Sequence, residues 1–189
     1  MPTEIEIQVR IQNVQPLLDL LQREGKFSYQ KRQVDDYFTP PDRDFTAVRP
    51  IKEWLRLRDA EGTASINFKN WHYDAGGRSH YCDEYETNLQ DIEQARNIFN
   101  ALQLKKIVTV DKVRQAWAYR DWEIAIDAIQ NLGDFVEIEY KGHGSPDPKA
   151  ECELMVQFLK DAGCGKIERN YLGYPFQLMF PDEVTWEVV

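Results

Sequence analysis

The chain opens on a strict alternation of polar and apolar side chains between residues 4 and 11. One face of this stretch carries Glu4, Glu6, Gln8 and Arg10, and the opposite face carries only isoleucine and valine. An alternation of period two predicts a β-strand with one apolar and one polar face. The polar face holds acids and then a cation in register, an arrangement that solubility alone does not require.

The same two-faced pattern returns in at least six later segments of the chain. Their charged faces carry Arg56 and Arg58, Lys69, Glu84 and Glu86, Lys112 and Arg114, Asp127, and Glu137 and Glu139. Acids are grouped with acids and bases with bases along these strands. A surface optimised for ion pairs between neighbouring strands would avoid that grouping. The repetition therefore indicates a functional surface.

These patterns predict about eight strands and three helices. The strands are expected at residues 4–11, 33–38, 53–59, 64–70, 78–87, 107–119, 122–128 and 134–141. The helices are expected at residues 13–24, 90–102 and 148–162, the last with Asp147 as its N-cap. Mostly hairpin-linked strands predict an α+β fold, an antiparallel eight-stranded closed barrel with the helices packed outside. Residues 1–189 form one domain, with residues 181–189 as a peripheral tail.

Helices on the outside of such a barrel leave its charged faces inside. Two carboxylates about 4 Å apart repel by roughly 4 kcal/mol at an effective dielectric constant near 20, and unpaired buried charges cost several kcal/mol each. An interior of this kind needs cations for its acids and anions for its bases. Mg²⁺ or Mn²⁺ suits the carboxylates and a polyphosphate suits the arginines. The alternative is an open sheet whose mixed charges pair between strands.

Composition narrows the class of protein further. The 189 residues are 42% hydrophobic and 29% charged, with a formal net charge of −9. This acidity argues against a non-specific nucleic-acid binder, and no apolar run reaches the length of a membrane span. The start of the chain lacks the pattern of a secretory signal, and three cysteines with no ligand spacing are typical of free thiols. We therefore expect a cytoplasmic protein.

In combination, these residues resemble the CYTH superfamily of triphosphate-tunnel metalloenzymes, over roughly residues 4–180. The family's opening Glu-x-Glu-x-Lys stands here at residues 4–8, with Gln8 in place of the lysine. The resemblance implies that divalent metal is held by Glu4, Glu6, Asp127, Glu137 and Glu139. It implies triphosphate binding at Arg56, Arg58, Lys69, Lys112 and Arg114, with Glu84 and Glu86 on the adjoining acidic strand. It also points to Gln8, Arg10, Lys112 and Arg114 as the catalytic group.

Three functions follow from this resemblance. The first is a class IV adenylyl cyclase that converts ATP to cyclic AMP and pyrophosphate. The second is a triphosphatase that releases orthophosphate, which Gln8 disfavours because the motif lysine is missing. The third is a non-catalytic binder of polyphosphate or nucleotide, and a homodimer is compatible with any of them. A carrier of apolar ligands is disfavoured by the charged interior. The sequence leaves the roles of Asp35, Asp36, Arg169 and Tyr171 open.

Overall fold

The computed structural model describes residues 3–189, and in this range the chain forms a closed barrel with helices around it. The strands are β1 (Thr3–Ile11), β2 (Lys26–Thr39), β3 (Glu53–Ala60), β4 (Thr63–Tyr73), β5 (Ser79–Leu89), β6 (Lys105–Tyr119), β7 (Trp122–Ile129), β8 (Gly133–Tyr140), β9 (Ile167–Arg169) and β10 (Glu187–Val188). The helices are α1 (Gln15–Glu24), α2 (Ile92–Ala101), α3 (Pro148–Asp161) and α4 (Gly173–Met179). Short 3-10 turns lie at Phe45–Ala47 and Pro181–Glu183.

Eight of these strands close the barrel, all in antiparallel pairs. Hydrogen bonding runs β1–β5–β4–β3–β2–β6–β7–β8, and β8 returns to β1, where Glu6 lies opposite Glu139. The predicted hairpin between β3 and β4 is confirmed, and its turn places Glu61 and Gly62 at φ of 43° and 94°, the left-handed conformations that tight hairpins favour. Strands β9 and β10 extend the sheet beyond β1. The predicted antiparallel eight-stranded barrel is confirmed.

Two of the three apolar clusters lie between the barrel wall and the outer helices. Beneath α1 and α3, the apolar face of β1 packs against Leu17, Leu21, Met155 and Leu159, all fully buried. Beneath α2, Phe99 stacks edge-on against Phe38 at a centroid distance of 5.0 Å. The helices thus cover the aliphatic faces of the strands, and the charged faces are left to the interior.

The third cluster fills one end of the barrel interior. It contains Tyr37, Trp54, Val110, Ile129 and Phe135, which belong to five different strands, and it packs against Tyr174 and Phe176 of α4. These strand residues lie on the same alternating faces as the interior charges. The barrel is therefore ionic along part of its length and apolar at the end that α4 covers.

Two predictions about elements were incomplete. The strand expected at residues 33–38 is the inner part of the fourteen-residue β2, whose first half is largely exposed and so lacks an apolar alternation. That half is a strand because β2 pairs with β6 along its whole length. The tail forms β9, α4 and β10, beyond the three predicted helices.

The Asp147 cap is confirmed, since its side chain accepts a hydrogen bond from the Ala150 amide at 2.8 Å.

Candidate functional site in the barrel interior

A cavity of about 220 Å³ lies inside the barrel, and we call it the ionic cavity. Its charged lining is made of Glu4, Glu6, Asp35, Arg56, Arg58, Lys69, Glu84, Glu86, Lys112, Arg114, Glu123, Glu137, Glu139 and Lys141. At one end the first residues of α4 complete the wall, including Tyr174. The structure therefore brings the predicted acidic strands and the predicted basic strands together around one volume.

The basic wall begins with two arginines of β3 held by an acid of β2. Arg58 donates from Nε and Nη2 to the two carboxylate oxygens of Asp35, at 2.6 and 2.7 Å, and Arg56 Nη1 lies 3.5 Å from the same carboxylate. Burial alone would raise the pKa of Asp35, but the two guanidinium groups lower it below its usual value. Arg56 Nε is buried with no hydrogen-bond partner among the described residues, so Asp35 does not use every donor of this wall.

The basic wall continues with Lys112 and Arg114 of β6, which share the carboxylate of Asp127. Arg114 donates to both oxygens of Asp127 at 2.7 and 2.6 Å and also to Glu137 at 2.7 Å. Lys112 donates to Asp127 at 3.1 Å, and burial together with neighbouring Arg114 lowers the pKa of Lys112 to about 8. Asp127 is fully buried and also accepts from the hydroxyl of Tyr174. Asp127 therefore lies behind the cavity lining and organises it.

The acidic wall surrounds the ammonium group of Lys69. Lys69 Nζ contacts the Glu4 carboxylate and lies 3.3 Å from Glu6 and 3.9 Å from Glu84. Burial opposes its charge, yet the nearby glutamates raise the pKa of Lys69 well above its usual value. The same contact keeps Glu4 ionised, since burial raises its pKa but Lys69 lowers it to about 2. In this structure Lys69 is the cation that the acidic wall requires.

Three carboxylates of this wall lie close enough together to hold a divalent cation. Ligand oxygens of Glu4, Glu84 and Glu139 all lie within 4.8 Å of one another. Burial and the charge of Glu4 raise the pKa of Glu139 to about 8, and burial also raises that of Glu6. A group of crowded carboxylate oxygens, in which Glu139 holds its proton because countercharge is short, suits a hard cation with oxygen ligands. The residues present therefore fit Mg²⁺ or Mn²⁺.

This cluster differs in membership from the predicted metal set. Glu84, expected beside the substrate, joins Glu4 and Glu139. Glu6 lies next to the cluster through Lys69, while Glu137 and Asp127 are engaged by Arg114. The assignment of individual ligands therefore stays a prediction, and the geometry favours the wall nearest Glu4.

The two polar residues that follow the acids in β1 lie in different surroundings. Gln8 lines the ionic cavity, and its Oε1 accepts a hydrogen bond from Gln177 Nε2 of α4 at 3.1 Å. The guanidinium of Arg10 lies over the Trp186 and Phe135 rings, 4.2 and 4.9 Å from their centroids, and donates to the Leu132 carbonyl. Arg10 is thus absent from the cavity lining, because the alternation of β1 continues past the cavity into the apolar end.

Comparison with known proteins agrees with this arrangement. The CYTH domain model matches residues 2–169 of the chain. The chain belongs to the CYTH family. A Methanocaldococcus jannaschii protein named "Putative adenylate cyclase" is 32% identical over 173 residues, covering 89% of this chain and 96% of that protein. The family assignment supports a triphosphate as the substrate class and a divalent metal as the cofactor class.

Solved structures share the fold of this CYTH protein. A Pyrococcus horikoshii protein superposes with a TM-score of 0.75 at 22% identity, covering 95% of this chain and 99% of that one. A Hippeastrum protein, described as a "putative adenylyl cyclase" with a dominant triphosphatase activity, superposes with a TM-score of 0.67 at 20% identity, covering 96% and 97%. At these identities the likeness shows the fold alone.

None of the CYTH chain's described helices combines the length and apolarity required to traverse a bilayer.

Several residues of the CYTH cavity had no role assigned from the sequence. Trp54 and Trp71 both line the cavity, and each lies on the same alternating face as a predicted phosphate-binding residue. Tyr29 also lines it and donates to Glu123 at 3.4 Å. The alternation of polar and apolar positions in the sequence could therefore have indicated that the two tryptophans face the cavity. Tyr29 lies in the part of β2 that the sequence did not indicate.

Four further residues that the sequence left open fall into two groups. Asp35 lines the ionic cavity, whereas Asp36 points away and accepts hydrogen bonds from Arg96, Lys106 and Thr109. Arg169 is buried behind β1, donates to the carbonyls of Glu6 and Ser79, and lies over the Tyr171 ring. One of the four therefore belongs to the basic wall, and the others support the surrounding structure.

Proposed function

We propose that this protein is a divalent-metal-dependent enzyme acting on a triphosphate, with adenylyl cyclase activity that converts ATP to cyclic AMP and pyrophosphate. The observation that carries this proposal is the ionic cavity, in which an acidic wall around Lys69 faces a basic wall built on Arg56, Arg58, Lys112 and Arg114. A cation alone would satisfy the first wall and an anion alone the second. A metal-bound triphosphate satisfies both.

The basic wall accounts for substrate binding. Arginine forks pair with the non-bridging oxygens of phosphates through parallel hydrogen bonds. Arg56 and Lys112 both line the cavity and provide donors beside those that Asp35 and Asp127 occupy. As negative charge moves to the leaving phosphate oxygens, these fixed cations stabilise it without reorganisation.

The acidic wall accounts for the metal. Glu4, Glu84 and Glu139 would hold Mg²⁺ or Mn²⁺, with Glu6 beside them. A bound divalent ion would neutralise phosphate charge and polarise the reacting oxygen. Lys69 lies among the same carboxylates, so it is placed to turn from the acids to a phosphate oxygen when a metal takes its position.

The choice of cyclisation over hydrolysis rests on Gln8. A neutral amide held by Gln177 neither carries the charge of the motif lysine nor takes a proton from water. In a cyclase the nucleophile is the ribose 3′-hydroxyl, which arrives as part of the substrate, so the cavity does not have to place a separate water. The name of the Methanocaldococcus jannaschii relative supports this choice.

A triphosphatase is the second candidate, favoured by the size of the cavity. At about 220 Å³ the ionic cavity is smaller than the usual 300–1,000 Å³ of pockets for drug-sized ligands. It matches the phosphate chain better than a complete nucleotide, and a substrate with no nucleoside would fit wholly inside. The activity described for the Hippeastrum structure supports this candidate in the same fold.

Two parallel incubations separate these functions. Purified protein is given ATP with Mn²⁺ and, in parallel, inorganic triphosphate with Mn²⁺. Cyclic AMP with pyrophosphate supports the cyclase, and orthophosphate supports the triphosphatase. Tight binding of triphosphate with no product over hours would make the protein a non-catalytic binder. Arg58→Gln should abolish binding. Arg32→Gln is the control and should leave binding unchanged, because the Arg32 side chain is 59% exposed and forms its ion pair outside the cavity. Absence of binding by the parent protein would overturn the proposal.

A further inference from the structure

The main difference between this chain and the CYTH motif, Gln8, has a partner on another element. Gln177 lies in α4, is 2% exposed, and donates from Nε2 to Gln8 Oε1 at 3.1 Å and to Asn170 Oδ1 at 3.4 Å. Both N–H groups of the Gln177 amide are thus used. The Gln177 Oε1 atom and the Asn170 Nδ2 atom are buried without partners among the described residues. The three amides form a short relay from the chain's tail to β1.

This relay fixes which end of the Gln8 amide meets a ligand. A side-chain amide is planar, so a hydrogen bond accepted at Oε1 directs Nε2 away from Gln177. In the part of the chain that the structure describes, Gln8 Nε2 donates to no protein group, and Gln8 lines the ionic cavity. A phosphate oxygen that approaches Gln8 Nε2 from the cavity would therefore meet an N–H donor. The reversed amide would present a lone pair and repel it.

We propose that Gln177 is a positioning residue for the reaction of this site, which holds the Gln8 amide with its donor end toward the triphosphate. The proposal rests on the proposed function, because it takes the triphosphate as the ligand of the ionic cavity. Gln177 and Gln8 then replace together what a lysine at position 8 provides alone. An ammonium group presents N–H donors in every direction and needs no partner to orient it.

The difference between glutamine and lysine at position 8 provides a test that distinguishes positioning of Gln8 by Gln177 from a purely structural role of Gln177. Gln177→Met keeps a side chain of similar length and removes the donor. In the Gln8 protein it should weaken triphosphate binding and lower kcat/KM by about tenfold, the effect of one lost neutral hydrogen bond. In a Gln8→Lys background the same substitution should change neither quantity by more than about twofold. Equal losses in both backgrounds would overturn the proposal, since Gln177 would then only support α4.

Binding of inorganic triphosphate is measured by calorimetry for the four proteins of this cycle, and turnover with Mn²⁺ is measured beside it. Leu178→Met, one residue along α4 and packed in the apolar cluster, is the matched control and should leave both unchanged in either background. In the ¹H–¹⁵N spectrum of the ligand-free protein, the side-chain amide signals that Gln8→Met removes should shift in Gln177→Met and stay in place in Leu178→Met.

The spectrum separates failure of this inference from failure of the proposed function. A shifted Gln8 amide in a protein that binds no triphosphate would confirm the hydrogen bond and reject both the triphosphate site and the role assigned to Gln177 in it. An unshifted amide in a protein that binds and turns over triphosphate would reject the positioning role alone.

Discussion

Arg114 holds Asp127 through two parallel hydrogen bonds, from Nε to Oδ1 at 2.7 Å and from Nη2 to Oδ2 at 2.6 Å. Asp127 is fully buried, and Lys112 and Tyr174 contact the same carboxylate. Removing one partner of a buried ion pair leaves the other charge without compensation, at a cost of about 3–5 kcal/mol. This carboxylate therefore has a large effect on folding although it does not line the ionic cavity.

Asp127→Asn should lower the free energy of unfolding by about 3 kcal/mol, because it takes the shared carboxylate from Lys112 in a buried site and leaves Arg114 paired with Glu137. Chemical denaturation at pH 7 measures the change. Asp111→Asn is the control, since Asp111 pairs with the exposed Arg32, and surface pairs contribute about 0–1 kcal/mol. Equal losses in the two variants would contradict the buried role.

Lys69→Met should separate metal binding from triphosphate binding. Lys69 takes the place of a cation among Glu4, Glu6 and Glu84, so its removal should tighten Mn²⁺ binding to the substrate-free protein, by roughly tenfold for one competing ion pair. The same change should weaken triphosphate binding, because a phosphate-binding cation is lost. Both constants come from calorimetry. Lys141→Gln, which removes an exposed lysine paired with Glu139, should have the smaller effect on Mn²⁺ binding. The idea fails if Lys69→Met weakens Mn²⁺ binding.

The metal-free protein should lose stability as the pH rises between about 4.5 and 8. Burial and Glu4 raise the pKa of Glu139 from 4.5 in the unfolded chain to about 8 in the fold. Between these values the folded protein keeps a proton that the unfolded chain has released. The stability due to the neutral carboxyl is therefore full below pH 4.5 and is lost through pH 8, at up to about 1.4 kcal/mol per pH unit.

Glu139→Gln keeps this position neutral at every pH, so the difference in unfolding free energy between the variant and the parent should grow in favour of the variant from pH 4.5 to 8. Denaturation curves at intervals of half a pH unit, with a chelator present, measure it. A difference that stays constant over this range would show that Glu139 is ionised in the fold already.

Arg10→Gln should leave triphosphate binding within about twofold of the parent protein. Its guanidinium contacts the Trp186 and Phe135 rings and the Leu132 carbonyl outside the cavity, so its loss should instead reduce stability, by about 1 kcal/mol. Calorimetry and thermal denaturation measure the two effects. A large loss of binding with unchanged stability would return Arg10 to the catalytic group that the sequence indicated.

The sequence predicts the barrel because the alternation itself carries the information. Strand faces such as that of Glu137 and Glu139 are uniform enough to assign to the interior once the helices are placed outside, and the structure brings these faces together. Individual contacts do not follow from alternation. That Glu84 joins Glu4 and Glu139 depends on strand order and register, which pairing around a closed barrel determines.

The outer half of β2 could not be predicted because it lacks an apolar alternation. The contacts of the tail could not be predicted for a different reason. An apolar run such as residues 174–180 indicates burial but not the surface that it covers, so the contacts of Tyr174 with Asp127 and of Gln177 with Gln8 were out of reach. Alternation assigns Arg10 to the inward face, but it does not show that the surroundings of this face change from ionic to apolar before Arg10 is reached.

The end of the barrel that α4 covers has a consequence for ligand access. A small cavity of about 30 Å³ beside Gly173 adjoins the ionic cavity there, and it is large enough for a water molecule but not for a phosphate group. With α4 in place, a triphosphate in the ionic cavity would not pass this end of the barrel. A bound phosphate chain would have to leave from another side before a second one could bind.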